Sequence, residues 1–154
     1  MKTSMFRICT ILALGVVASL QTLKAQQHTM EGVWNVSVTV TNCQTGAIIR
    51  TVDSLQAFHH DGTITETANT ASRGISEGVW KPVGEQMYKD SFWFYRYTST
   101  GTFASLAHGF DTITLGSDGH FTSTGTVQDF DANGNLISTG CVIHTAYRLA
   151  DSER

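Results

Sequence analysis

The stretch VWNVSVTVT at residues 33–41 constrains the fold more than any other part of the chain. Trp34, Val36, Val38 and Val40 fall on one side of an extended backbone, and Val33, Asn35, Ser37, Thr39 and Thr41 on the other. A period of two held over such a length is the pattern of a strand with one buried face. No later segment carries a helical stripe, and turn signals recur at short spacing instead. They divide the chain into eight expected strands, at 33–41, 47–59, 63–68, 76–81, 86–98, 102–115, 120–130 and 136–149. Asp61-Gly62, Asp118-Gly119 and Asn133-Gly134 mark hairpins, because these residue types tolerate positive φ. Pro82, the single proline, is expected to end the fourth strand, since it cannot donate to a ladder.

Eight strands in hairpin order, without crossover helices, must dispose of two sheet edges. Closure does so outright. The expected fold class is therefore all-β, an eight-stranded antiparallel up-and-down barrel, with a two-sheet β-sandwich as the alternative. A barrel of eight strands leaves room inside for side chains or for one small ligand.

The first 25 residues read as a secretory signal peptide. Lys2 and Arg7 precede an apolar run at 8–20, and Leu23 and Ala25 occupy the −3 and −1 positions of a cleavage site. The run is shorter than the about 20 residues of a membrane span. This leaves a single domain at 26–154, secreted or periplasmic, of ordinary domain length. Three of the ten Lys and Arg leave with the leader, so seven remain against 13 Asp and Glu. An acidic chain without a basic cluster is not expected to bind nucleic acid, where phosphate neutralisation supplies most of the affinity. Nor is the mature form expected on an anionic membrane surface.

Of three cysteines, Cys9 lies in the leader. Cys43 and Cys141 remain, and an even pair in an exported chain reads as one disulfide. In a closed barrel the first and last strands are antiparallel neighbours. Placing Cys43 opposite Cys141 sets Val36 against Arg148, Val38 against Ala146 and Val40 against His144, with Trp34 diagonal to Arg148.

Gly32-Val33-Trp34 opening the first strand, with Arg148 near the end of the last, resembles the calycins, the lipocalins and their small-barrel relatives. The resemblance implies that Arg148 packs across Trp34 and helps to close one barrel end. The Thr-Asp-Tyr central motif and the C-terminal helix of lipocalins are absent, so no ligand specificity is carried over. EGVW recurs at residues 77–80, but the NVSVTVTN after the first copy has no counterpart after the second. Trp80 is expected to be a core or pocket aromatic.

Strand five carries Phe92, Trp93, Phe94, Tyr95 and Tyr97, aromatic on both faces. Phe92, Phe94, Tyr95, Arg96 and Tyr97 are candidates for a pocket lining, since ligand sites are mostly apolar and aromatic with a few polar handles. The Trp34 face, if interior, also brings His144 inside, and His108 is the remaining ligand-binding candidate. His59 and His60 are adjacent and point to opposite faces, and no ligand spacing for a metal or haem is present. DFDANG at 129–134 resembles the start of a calcium loop, but Gly140 stands where its closing acid belongs. No phosphate loop, nucleophile elbow or HExxH motif occurs, and no cofactor is expected. Glu66, Tyr95, Arg96, His108 and Asp111 could form an acid–base site, though spacing does not assemble them. The expected function is binding of a small, partly apolar ligand in the barrel's cup. The alternatives are an acid–base enzyme of isomerase or cyclase type, and a filled barrel that meets a protein partner.

Overall fold

A computed structural model describes residues 29–149; the leader expected at 1–25 lies outside them. The eight strands are β1 (Gly32–Thr41), β2 (Ile48–Phe58), β3 (Thr63–Ala68), β4 (Ser76–Gly84), β5 (Met87–Tyr97), β6 (Phe103–Leu115), β7 (His120–Phe130) and β8 (Leu136–Arg148). They form one closed barrel in sequence order, with β8 returning to β1. The Gly residues of the three expected hairpins all adopt positive φ, at 82° for Gly62, 79° for Gly119 and 83° for Gly134.

Pro82 does not end β4, which runs on to Gly84. Beyond Val79 the strand pairs with β5 alone, so the proline takes no donor from a second ladder. The register bulges immediately after it.

The first and last strands meet two residues away from the sequence-based register. Trp34 lies opposite Arg148, Val38 opposite His144, and Thr41 opposite Cys141. Cys43 stands past the end of β1, in a turn whose Gln44 and Thr45 amides both donate to Asn42 Oδ1 at 2.9 Å. Its sulfur reaches back to bond Cys141 with the Cα atoms 5.1 Å apart. A shift of two preserves which side chains face inward, so Trp34, Val36, Val38 and His144 are all buried.

One barrel end is filled. Trp34 is fully buried, with Phe121 edge-on at 4.9 Å, and Phe58, Ile64, Ile113 and Leu115 complete this core. Trp80 belongs to it as well, between Phe58 and Tyr88, with its indole N–H donated to the His59 carbonyl at 3.1 Å. The Arg148 guanidinium lies 4.3 Å from the centre of the Trp34 ring and donates to the carbonyls of Glu31 and Thr29. A Cβ at Gly32, where φ is 125°, would stand 2.7 Å from Arg148 Nη1. The glycine of Gly-x-Trp is thus the gap through which the arginine reaches the ring. No helix among the described residues is long and apolar enough to cross a membrane.

Candidate functional site: a cup above a polar belt

The other barrel end is open. A cavity of about 90 Å³ lies there, under the β1–β2, β3–β4, β5–β6 and β7–β8 connections. Its apolar wall comes from alternate positions on neighbouring strands: Val38 and Val40, Val52, Phe92 and Phe94, Val127, and Val142. Gly109 makes room for the Phe92 ring, since a Cβ there would come within 2.4 Å of it. Arg50, Arg73 and Arg96 supply the charge, and His144 lines the cavity from β8.

Strand alternation sorts the candidates. On β5, Phe92, Phe94 and Arg96 line the cavity. Tyr95 points outward and is 53% exposed, packing on Phe103. Tyr97 is half-buried beside Gly74, outside the cavity lining and past a register bulge. His108 is also outside, between Trp93 at 3.6 Å and Phe110 at 3.8 Å, with Ser91 Oγ 2.8 Å from Nε2. The inward residues of β6 are Ser105, Ala107, Gly109, Asp111, Ile113 and Leu115, so His108 falls on the wrong parity to reach a ligand. Burial holds its pKa below the ordinary histidine value.

Beneath the cavity a belt of polar side chains crosses the barrel: Gln56, Glu66, Ser76, Asp90, Asp111, Ser123 and His144 are all buried. Cross-strand pairing puts them side by side, as Gln56–Glu66–Ser76 on β2 to β4, Asp90–Asp111 on β5 and β6, and Ser123–His144 on β7 and β8. Two subsets form. In the first, Arg73 from the β3–β4 connection reaches down to Glu66, and both contact Ser76, each 2.9 Å from its hydroxyl. The Arg73 guanidinium also lies 3.7 Å from the Phe94 ring centre. In the second, His144 Nδ1 is 2.5 Å from Ser123 Oγ and 3.4 Å from Asp111 Oδ2. Gly125 permits this, because a Cβ there would sit 2.0 Å from Asp111 Oδ1.

Burial sets the charge of this belt. It raises Asp111 to about 7, with the Glu66 carboxylate adding to the rise and Arg73 opposing it. Asp90 is raised well above the ordinary value, by burial first and then by Asp111 and Glu66. Burial lowers His144 to about 4. Near neutral pH the imidazole is therefore uncharged, beside a carboxyl that titrates there. Nδ1 is engaged by Ser123, so Nε2 is the nitrogen left for anything in the cavity. Glu66 Oε1, Asp90 Oδ1 and both Asp111 oxygens are buried without a hydrogen-bond partner, which leaves spare polar capacity under the cup.

Of the five residues that acid–base reasoning singled out, the barrel brings Glu66 and Asp111 into the belt and Arg96 to the cavity. His144 takes the place that His108 and Tyr95 do not fill. Arg50, Arg73, Asp90 and Ser123 escaped sequence reading. Parity along β5 and β7 could have found Asp90 and Ser123, but Arg73 sits in the loop NTASRG, where periodicity says nothing. Among the described residues, no group of three or more His, Cys, Asp or Glu is arranged to hold a metal ion.

The fold and the site together define a closed β-barrel with one sealed end and one polar-floored cup. No protein-family model matches the chain. No curated protein matches it at a significant level.

Proposed function

We propose that the protein is an exported, lipocalin-like barrel that binds a small, partly apolar molecule in the open-end cup. The observation that carries this reading is the cavity itself, walled by valines and by Phe92 and Phe94 and floored by His144. Sites of this make-up, mostly apolar with a few placed polar groups, are the usual form of a ligand pocket. At about 90 Å³ it is smaller than the roughly 150 Å³ cavity that encloses a benzene ring. The ligand is then a single ring or a short branched chain, with part of it in the mouth. Export is supported by the disulfide, a bond that persists in oxidising compartments. Kinship with the calycins is supported by the packing of Arg148 over Trp34.

Benzyl alcohol is expected to bind at millimolar or better affinity by calorimetry. Val127→Phe, which fills the cup, is expected to remove the signal while the thermal transition is retained. Equal binding by the two proteins would place the ligand elsewhere.

Proton-transfer catalysis is a second reading, favoured by His144 at the cavity floor and its contact with Asp111 in the belt beneath. A base within reach of a carbon acid could take its proton and return it. Phenylacetone offers a ring and an enolisable carbonyl. Its α-hydrogens are expected to exchange in D₂O faster with the protein than in buffer, and at the buffer rate with His144→Gln. Exchange at the buffer rate in the presence of the native protein sinks this reading.

A further inference from the structure

After the leader is removed, seven Lys and Arg remain in an acidic chain, and three of them, Arg50, Arg73 and Arg96, line one cavity of about 90 Å³. Like charges gathered on a partly apolar wall repel one another unless something compensates them. Two carboxylates do so in part. Arg73 is paired with Glu66. Arg96 Nε donates to Asp129 Oδ1 at 2.6 Å, and its guanidinium lies 4.9 Å from the Phe94 ring centre. Asp129 is also engaged by two hydroxyls, since Ser105 donates to the same oxygen at 2.8 Å and Ser138 to the other at 3.0 Å. Arg50 has no carboxylate within ion-pair distance among the described residues.

Resting on the cup reading, we propose that the ligand is an organic anion whose carboxylate, or a group of like charge and shape, is held at the cup mouth by Arg50 and Arg96. The guanidinium fork matches a planar two-oxygen anion, and such pairs are stronger than neutral hydrogen bonds. Phe92 and Phe94 would take the apolar part of the molecule below it. Partial burial and the charge of Arg96 work against a charged Arg50 while Asp129 works for it, and an anion between the two arginines would offset the first two. The acids of the belt do not compete for the anion's place, because burial holds Asp90 and Asp111 toward their neutral forms and Glu66 is paired with Arg73.

Two probes separate the anion from the cup. Benzoate and benzamide share size and shape but differ in charge. Benzoate is expected to bind at least about tenfold tighter by calorimetry, the low end for charge-assisted hydrogen bonds. Arg50→Gln is expected to cut that ratio below about threefold, through a loss of benzoate affinity larger than any change for benzamide. Sodium sulfate, titrated against chloride at constant ionic strength, is expected to shift the Nε–Hε signals of Arg50 and Arg96 and leave that of Arg148 in place. Equal affinity for benzoate and benzamide, with no sulfate response, overturns the anion site and leaves the cup standing. A sulfate response without binding of either aromatic overturns the cup and leaves the anion site. Silence from all three overturns both.

Discussion

Asp111→Asn and His144→Gln are expected to diverge in the pH dependence of stability between pH 4 and 6.5, the first rising relative to the second. Asp111 titrates near 7 in the folded barrel against an ordinary value of 3.8. Between those values the folded state holds a proton that the unfolded chain has lost, so this carboxyl makes stability fall as pH rises. His144 titrates near 4 in the fold against an ordinary 6.5. In that window the unfolded chain holds the extra proton, so the imidazole makes stability rise with pH. Each effect is on the order of 3 kcal/mol across the window, and in the native protein they oppose each other. Asn at 111 leaves the rising contribution of His144, and Gln at 144 leaves the falling contribution of Asp111. Asp90, raised in the same direction as Asp111 and partly by it, adds a falling contribution to both variants that is smaller in Asp111→Asn, and so widens the difference between them. Urea unfolding of the two variants from pH 4 to 8 measures this difference. Parallel curves would mean that burial does not control the charge of the belt.

Removing the disulfide is expected to cost stability on a similar scale. Cys43 and Cys141 are 98 residues apart, so their bond closes most of the described chain into a loop. The loop-entropy account puts such a constraint near 4–5 kcal/mol, and native bonds of small secreted domains typically give about 2–5. The bond also ties the β1–β2 turn, the one that carries Cys43 past the strand end, to β8 at the cup rim. Cys43→Ser combined with Cys141→Ser should lower the urea midpoint by the equivalent of at least about 2 kcal/mol. A loss below about 0.5 kcal/mol would show that the β1–β8 ladder holds the barrel closed without it.

Much of the barrel was legible because β-structure with one buried face writes itself into alternation. Trp34, Val36 and Val38 all turned inward as the period of two required. The Asp-Gly and Asn-Gly turns were legible because few residues reach positive φ. The disulfide was legible as a pair, but its register was not. Two cysteines name a contact, and only the Asn42-capped turn decides that Cys43 reaches it from beyond the strand.

The site was less legible for a physical reason. A polar residue facing into a barrel looks, in sequence, like one facing water. Glu66 and Asp111 stand on inward positions of their strands, yet nothing local separates them from Asp53 or Asp118 on the surface. Aromatic residues on both faces of β5 hid which face was interior, and so Tyr95 was grouped with Phe94. Arg73 comes from a connection, and its contact with Glu66 exists only once the barrel has closed.

The cup is tested most directly by methyl NMR of valine- and isoleucine-labelled protein titrated with benzyl alcohol. Shifts are expected at Val38, Val40, Val52, Val127 and Val142, which wall the cavity. Ile64 and Ile113 at the sealed end, and Val33 and Val79 on the outer surface, are expected to stay in place. Shifts confined to Val33 and Val79, or no shifts at saturating alcohol, would contradict a ligand-binding cup.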